Sequence, residues 1–197
     1  MLIGLNGNMQ VGKDTVCQVM QSYLHDTVRM AFADKLKDSL CALLDIDREA
    51  LEDMKCDPTS EIILRKKGFP KRSMTVRQAM QRYGTEAHRN IFGDNFWVEA
   101  LLPMYSDARL CYKDRLYVIT DARFENELQR IKNFGGITVR IERPGFLPSD
   151  AHASEVVPNS RLIDYTLIND GSLLELSDKV GRLLMELQII PRVEVVE

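Results

Sequence analysis

The segment that most limits how this chain can fold is a glycine-rich turn near its start, GNMQVGKDT at 7–15. It matches the pattern G-x-x-x-x-G-K. An apolar run at 2–5 precedes it, and apolar residues at helical spacing follow it from Gly12 to about Leu24. In this strand–turn–helix context, glycines let successive backbone N–H groups face phosphate oxygens, while the helix dipole and a lysine add positive charge. The segment therefore predicts an ATP-binding loop formed by Gly7, Asn8, Met9, Gln10, Val11, Gly12, Lys13, Asp14 and Thr15.

Three residues have the chemistry to hold a magnesium ion beside such a loop. Thr15 carries the first hydroxyl after the lysine, and Asp14 occupies the place where a Mg²⁺-binding Ser or Thr normally lies. Asp121 follows the apolar run LYVIT at 116–120, where phosphate-loop proteins often place an acid that holds Mg²⁺ directly or through water. We therefore expect Mg²⁺ at Asp14, Thr15 and Asp121. Asp121 also suits the cap of the helix after it, and the two roles are compatible.

Short apolar runs alternate with helical patterns along the whole chain. The runs lie at 2–5, 28–33, 116–120, 137–141 and 165–168. Because these runs are apolar throughout, they predict an α/β fold with a central parallel sheet covered on both faces. Such sheets bind ligands beyond the carboxyl ends of their strands.

We expect a single domain over 1–197, with a polar, loop-like insertion at about 45–74 on the substrate side and a lid-like segment at about 143–160. Thr75 and Ser172 each open a plausible capping box at the start of a helix. Asp34 is expected to cap the helix that follows the run at 28–33.

The composition restricts the partners of the chain. A net charge of −3 argues against a nucleic-acid polymer, because phosphate backbones require a basic surface. The four cysteines include no CxxC pair, which argues against a zinc site and fits reduced thiols. No apolar run approaches the roughly 20 residues of a membrane span, and no basic signal-peptide region precedes the first run. We therefore expect a cytoplasmic protein that binds a small anionic substrate and no membrane.

Arginines cluster where the acceptor of a phosphoryl transfer would bind. An enzyme that transfers a phosphoryl group from ATP to a nucleotide monophosphate must hold two polyanions in line. Enzymes of this kind use arginines and Mg²⁺ to offset the repulsion between the two nucleotides. Arg123 lies two residues beyond Asp121, Arg77 and Arg89 follow the polar insertion, and Arg140 and Arg143 flank the end of the run at 137–141. We expect the catalytic groups to be Lys13, Asp121 and Arg123.

Four segments carry a likeness to a known family. They are GNMQVGKDT at 7–15, RQAMQRYGTEAHR at 77–89 with Trp97 after it, ITDARFENE at 119–127, and HASE at 152–155 with IND at 168–170. With them the sequence resembles the deoxynucleoside monophosphate kinases of tailed bacteriophages and their bacterial relatives. The resemblance implies a three-layer α/β/α P-loop NTPase fold of the nucleoside monophosphate kinase kind. It also implies Mg²⁺-dependent, in-line transfer of the ATP γ-phosphate to a deoxynucleoside monophosphate, in the host cytoplasm if the chain is phage-encoded.

The resemblance also implies which residues face the acceptor. It assigns Arg77, Gln78, Gly84, Thr85 and Arg89 to the acceptor side, and His152 and Glu155 to a mobile segment over the site. Trp97 suits either the core or a base-stacking platform. The expected substrate-binding set is Asp34, Lys35, Arg77, Gln78, Gly84, Thr85, Arg89, Trp97, Arg123, Arg143, His152 and Glu155.

Other functions fit the same loop. A P-loop kinase for another phosphorylated small molecule, such as phosphomevalonate, would need the same loop and arginines. A nucleoside acceptor additionally needs a pocket that holds its base, and Tyr83, Trp97 or Phe124 could supply it. A third hypothesis is a nucleotide-binding regulatory or assembly protein that does not catalyse a reaction. The sequence does not fix the accepted bases, selection against ribose, the roles of 45–74 and of the tail at 189–197, or whether the chain forms a homodimer.

Overall fold

The computed structural model describes residues 1–64, 72–103, 115–145 and 159–191. The chain divides into two compact units, one formed by Met1–Ala31 with Tyr105–Glu197 and the other by Phe32–Met104. The second unit is therefore a longer excursion than the insertion expected at 45–74. In chain order the strands are β1 (Leu2–Asn6), β2 (Val28–Met30), β3 (Glu61–Leu64), β4 (Arg72–Thr75), β5 (Tyr117–Ile119), β6 (Ile137–Glu142) and β7 (Tyr165–Ile168).

Helices of several lengths connect these strands. They are α1 (Lys13–Tyr23), α2 (Phe32–Leu44), α3 (Arg48–Cys56), α4 (Val76–Gly84), α5 (Asn90–Phe92), α6 (Phe96–Leu101), α7 (Glu125–Asn133) and α8 (Leu173–Glu186). A π-helical turn at Thr85–Arg89 joins α4 to α5, and a 3₁₀ turn spans Ser160–Leu162. None of the helices in the described ranges is long and apolar enough to cross a membrane.

The first unit is built on a parallel sheet with the order β2-β5-β1-β6-β7. Leu2 is aligned with Tyr117 of β5, and Ile3 with Ile137 of β6, so β1 lies between these two strands. Because all the strands run the same way, the loops that follow β1 and β5 leave the sheet at the same edge. The loop with Gly7–Thr15 and the segment that begins at Asp121 are therefore neighbours.

Alternating side chains of β1 face two layers of helices. Ile3 and Leu5 are fully buried in a cluster with residues of α1 and α8. Gly4 faces the other way, where an added Cβ would collide with Ile131 Cδ1 of α7. The sheet is thus covered on both faces, which is the three-layer α/β/α arrangement that the sequence predicts.

The strand expected at 28–33 is too long, and the expected cap at Asp34 is wrong. β2 ends at Met30, and α2 already begins at Phe32. Asp34 lies inside the first turn of α2. Ala31 and Phe32 are buried, and a short apolar run of this kind does not distinguish the end of a strand from the start of a buried helix.

The second unit contains regular structure where the sequence suggests a loop. Asp47 caps α3 by accepting a hydrogen bond from Ala50 N at 2.7 Å. β3 and β4 form an antiparallel pair in which Glu61 is aligned with Thr75. Leu51 and Ile62 are buried in a cluster with residues of α2 and α4. The loop-like assignment of 45–74 is therefore wrong for its described part.

Both predicted capping boxes are present. Gln78 N donates to Thr75 Oγ1 at 3.2 Å, and Thr75 N donates to Gln78 Oε1 at 3.1 Å. Ser172 and Glu175 pair in the same way at the start of α8. The helical backbone that begins after Thr75 continues through the π-helical turn at Thr85–Arg89 and ends at Phe92.

Candidate phosphate-transfer site

The ammonium of Lys13 lies inside the loop that precedes α1. Lys13 is the first residue of α1 and is only 8% exposed. Its Nζ donates to Gly7 O at 2.8 Å and to Asn8 O at 2.6 Å. These carbonyls hold the charge at the helix N-terminus, where backbone N–H groups point outward and attract anions. The geometry matches a phosphate-binding loop.

Two glycines of the loop have conformations and neighbours that exclude a side chain. Gly7 has a φ of +140°, and a Cβ there would lie 2.5 Å from Ile141 O. Gly12 has a φ of +102°, and a Cβ there would lie 2.6 Å from Asn169 Nδ2. Asn169, the residue directly after β7, donates from Nδ2 to Val11 O at 2.9 Å and so holds the loop in place.

Charges around Lys13 shift its pKa. Burial and the nearby guanidinium of Arg123 lower the pKa of Lys13 to about 8, while the carboxylates of Asp14 and Asp121 partly oppose this. The predicted loop lysine, arginine and acids therefore lie close enough for their charges to interact. Asp14 is largely exposed and pairs with Arg29, its Oδ1 lying 3.5 Å from Arg29 Nε.

Buried hydrogen bonds hold the segment with Asp121 and Arg123 in place. Asn6 Nδ2 donates to Ala122 O at 2.9 Å, and both residues are buried. The carboxylate of Glu127, 2% exposed, accepts from Arg123 N at 2.7 Å and from Phe124 N at 3.1 Å. Phe124 is the N-cap residue of α7, so Asp121 does not occupy the cap position.

Sequence reasoning missed three of these residues. Asn6 directly precedes the glycine loop, Glu127 is the third residue of α7, and Asn169 belongs to the IND segment. Each is polar at a position where the surrounding pattern is apolar or begins a helix, which is the signal that could have marked them. Arg140, expected near phosphates, donates instead to Asn6 Oδ1 at 3.1 Å and to Glu142 Oε1 at 2.7 Å.

The oxygen donors near Lys13 suit a Mg²⁺ ion that is also bound by substrate phosphates, rather than a metal ion enclosed by protein ligands alone. Mg²⁺ is usually bound through one or two carboxylates together with substrate phosphates. Asp14, Asp121 and the Thr15 hydroxyl offer oxygen ligands, and the charges of both acids act on Lys13. Within the described part of the chain no group of three His, Cys, Asp or Glu side chains could enclose a metal ion.

The expected acceptor-side residues of the second unit have different surroundings. Lys35, Arg77 and Thr85 are exposed, and Arg89 is half-buried. Gln78 belongs to the capping box of α4. Asp34 Oδ1 accepts from Arg48 Nη2 at 2.9 Å. In the first unit, Arg143 is exposed in the turn after β6. Their contact with a substrate stays a prediction.

Trp97 and Gly84 form a buried pair. Trp97 is 5% exposed, and its Nε1 donates to Gly84 O at 3.0 Å. A Cβ at Gly84 would lie 2.6 Å from Leu36 Cδ1. His88 adds a second hydrogen-bonded contact at this turn, with Nδ1 2.6 Å from Tyr83 O. Trp97 therefore supports the π-helical turn, and its stacking on a base stays a prediction. His152 and Glu155 lie outside the described residues.

The amino-acid sequence is similar to a protein family and to individual viral proteins. A family model described as deoxynucleotide monophosphate kinase matches residues 45–180. A relative from Acanthamoeba polyphaga mimivirus is 29% identical over 91% of this chain and 93% of its own length. The deoxynucleotide monophosphate kinase of Escherichia phage RB69 is 31% identical over 56% of this chain, a match that spans 45% of the phage protein.

Solved structures share the fold. A shikimate kinase from Aquifex aeolicus superposes with a TM-score of 0.50 at 16% identity, covering 95% of this chain and 96% of that chain. At this level of identity the likeness concerns the fold alone. Together with the parallel sheet and its loop, it confirms the three-layer α/β/α P-loop fold.

Proposed function

The chain belongs to the deoxynucleotide monophosphate kinase family, and from this premise we propose that Lys13, Asp121 and Arg123 transfer the γ-phosphate of ATP to a deoxynucleoside 5′-monophosphate by in-line displacement. The observation that carries the proposal is the buried ammonium of Lys13, held by Gly7 O and Asn8 O at the start of α1. Phosphate oxygens of ATP would replace these carbonyls as partners of the ammonium. The loop N–H groups would bind the remaining oxygens.

Arg123 is the residue best suited to the charge that develops during transfer. In-line phosphoryl transfer spreads negative charge over the equatorial oxygens of the transferring group, and fixed positive groups stabilise it. The backbone N–H groups of Arg123 and Phe124 are fixed by Glu127. The guanidinium is exposed and near enough to lower the pKa of Lys13. These contacts support a role for Arg123 at the transferred phosphate.

A magnesium ion fits the proposal through its ligands. Asp14, Thr15 and Asp121 would hold it together with phosphate oxygens. When bound, it supplies positive charge to the β- and γ-phosphates. To hold the metal, Asp14 would give up its ion pair with Arg29. This loss costs little, because Asp14 is mostly exposed and exposed ion pairs contribute little to stability.

The acceptor needs orientation rather than activation. A nucleoside monophosphate is largely dianionic at pH 7, since its second phosphate pKa is near 6. No general base is therefore required. We assign Arg77, Thr85 and Arg89 of the second unit to the acceptor by the family likeness, and we expect the enzyme to act in the cytoplasm, where both nucleotides occur.

Tracing labelled phosphate tests the proposal. With γ-³²P-ATP, Mg²⁺ and a deoxynucleoside monophosphate, label should appear in the deoxynucleoside diphosphate. With Lys13→Ala protein of unchanged melting temperature, it should not. Label released only as inorganic phosphate would instead indicate an ATPase. ATP binding without any transfer would support the non-catalytic reading. The phosphomevalonate-like alternative is not favoured by the family match.

A further inference from the structure

A buried asparagine links the phosphate loop to the segment that carries Asp121 and Arg123. Asn6 is the last residue of β1 and is 3% exposed. Its amide nitrogen donates to Ala122 O at 2.9 Å. Its amide oxygen accepts from Arg140 Nη1 at 3.1 Å. Because each end of the amide has a partner of the matching kind, reversing it would place N–H against guanidinium and oxygen against carbonyl. The orientation of Asn6 is therefore fixed.

The sheet explains why Asn6 can reach both partners. In the pairing of β1 with β6, Asn6 is aligned with Arg140. On the other side of β1, the register pairs Gly4 with Ile119, so the chain after β5 passes beside Asn6. Arg140 is itself held by Glu142 through Nε at 2.7 Å. Two neighbouring strands, β1 and β6, and the segment that follows β5 thus meet at one side chain, directly before Gly7.

The contact at Ala122 has consequences on both sides. Ala122 is fully buried and lies between Asp121 and Arg123, so fixing its carbonyl limits where both side chains can point. Glu127 fixes the next two N–H groups. Removing the Asn6 amide would leave the Ala122 carbonyl buried without that donor, a cost that favours a rearranged segment.

Resting on the proposed function, we infer that Asn6 is a positioning residue for phosphoryl transfer: the Arg140–Asn6–Ala122 bridge sets the placement of Asp121 and Arg123 relative to Lys13. Asn6 touches no substrate in this role. It acts through the carbonyl of Ala122. A bridge of this kind affects the alignment of the reacting groups more than the binding of ATP, because the loop N–H groups and Lys13 remain.

Asn6→Ala tests the inference against a purely structural role. The kcat should fall about 10- to 100-fold, the range that a misplacement near 1 Å produces, with KM for ATP changing less than about threefold. Thr138→Val is the matched control. Thr138 is likewise buried in β6, and its hydroxyl is hydrogen-bonded to Leu162 O at 2.5 Å and to Asp164 Oδ2 at 2.9 Å, which precede β7 rather than belong to the loop. It should lower stability and leave kcat unchanged.

A second readout does not depend on turnover. In nucleotide-free protein, Asn6→Ala should speed deuterium exchange in a peptide covering 120–126 about tenfold or more, and Thr138→Val should not. If Asn6→Ala does not fold, Arg140→Met is the second variant, because methionine keeps an unbranched apolar stem in this largely buried position and removes the guanidinium that donates to Asn6 Oδ1. The two changes should be non-additive in kcat.

The outcomes separate the inference from the proposed function. Unchanged kcat and exchange in Asn6→Ala, with an active parent enzyme, would overturn the positioning role alone. An inactive parent enzyme whose Asn6→Ala variant still exchanges faster at 120–126 would overturn the proposed function and leave the bridge intact. Equal losses of kcat in Asn6→Ala and Thr138→Val would reduce Asn6 to a structural residue.

Discussion

Replacing Gly12 by alanine changes two things at once in the phosphate loop. The residue has a φ of +102°, which L-residues avoid, and its new Cβ would lie 2.6 Å from Asn169 Nδ2. That nitrogen donates to Val11 O, so it cannot move away without losing this hydrogen bond. Gly12→Ala therefore tests both the strained backbone and the contact from Asn169.

The magnitude follows from adding the two effects. A left-handed conformation costs a non-glycine residue about 1–2 kcal/mol. Loss of the Asn169 hydrogen bond adds about 0.5–1.5 kcal/mol. The free energy of unfolding should thus fall by about 1.5–3.5 kcal/mol in Gly12→Ala. Because the loop must shift, the Kd for ATP should also rise.

Urea unfolding followed by circular dichroism measures the first effect, and calorimetric titration with ATP measures the second. Gly135→Ala is the control, because Gly135 has a φ of +73° with nothing within 4 Å of an added Cβ. It should cost only the backbone strain. In an Asn169→Ala background, Gly12→Ala should likewise cost only the strain, since the colliding side chain is absent. Additive losses in the two changes would refute the contact.

Three further changes follow from the site and from the second unit. Lys13→Ala should abolish turnover with an unchanged melting temperature, and activity within threefold of the parent would contradict the loop assignment. Arg123→Ala should lower kcat about 10²- to 10³-fold in a steady-state assay; an unchanged kcat would return it to an ordinary surface residue. Burial raises the pKa of Glu52, but hydrogen bonds from Lys37 and Lys55 outweigh this and hold the pKa at about 2. A depressed carboxyl pKa stabilises the fold above the unfolded pKa near 4.5 and loses that contribution as pH falls towards 2. Because the Glu52 side chain is 38% exposed, this loss of stability is at most about 1 kcal/mol. Glu52→Gln should remove it from the pH dependence of the free energy of urea unfolding. If the free energies of Glu52→Gln and of the parent fall in parallel from pH 5 to 2, the pairing with the two lysines is contradicted.

The parts that sequence could predict are those with local chemistry. The loop at Gly7–Thr15 is a pattern of adjacent residues, and the structure places Lys13 inside it. The capping boxes at Thr75 and Ser172 need only residues three apart. Each of the five apolar runs coincides with a strand, because short apolar runs bounded by polar residues are typical of strands in a covered sheet.

The parts that sequence could not predict depend on distant residues. Asn6 and Ala122 are 116 positions apart, and nothing local marks them as partners. β3 is a strand because β4 pairs with it, and the polar composition around 45–74 conceals this. The π-helical turn at Thr85–Arg89 coincides with a side chain, Trp97, that reaches Gly84 O from another helix.

A coupled ADP-release assay would measure phosphorylation of a deoxynucleoside monophosphate directly. Purified protein would be mixed with ATP and Mg²⁺ and offered dTMP, dGMP, dCMP, dAMP and the ribonucleoside monophosphates one at a time. We expect ADP release above the acceptor-free rate with at least one deoxynucleotide. The set of accepted monophosphates would then define the base and sugar specificity. If the protein binds ATP but no monophosphate raises its rate of ADP release, the proposed phosphorylation of a deoxynucleoside monophosphate is contradicted.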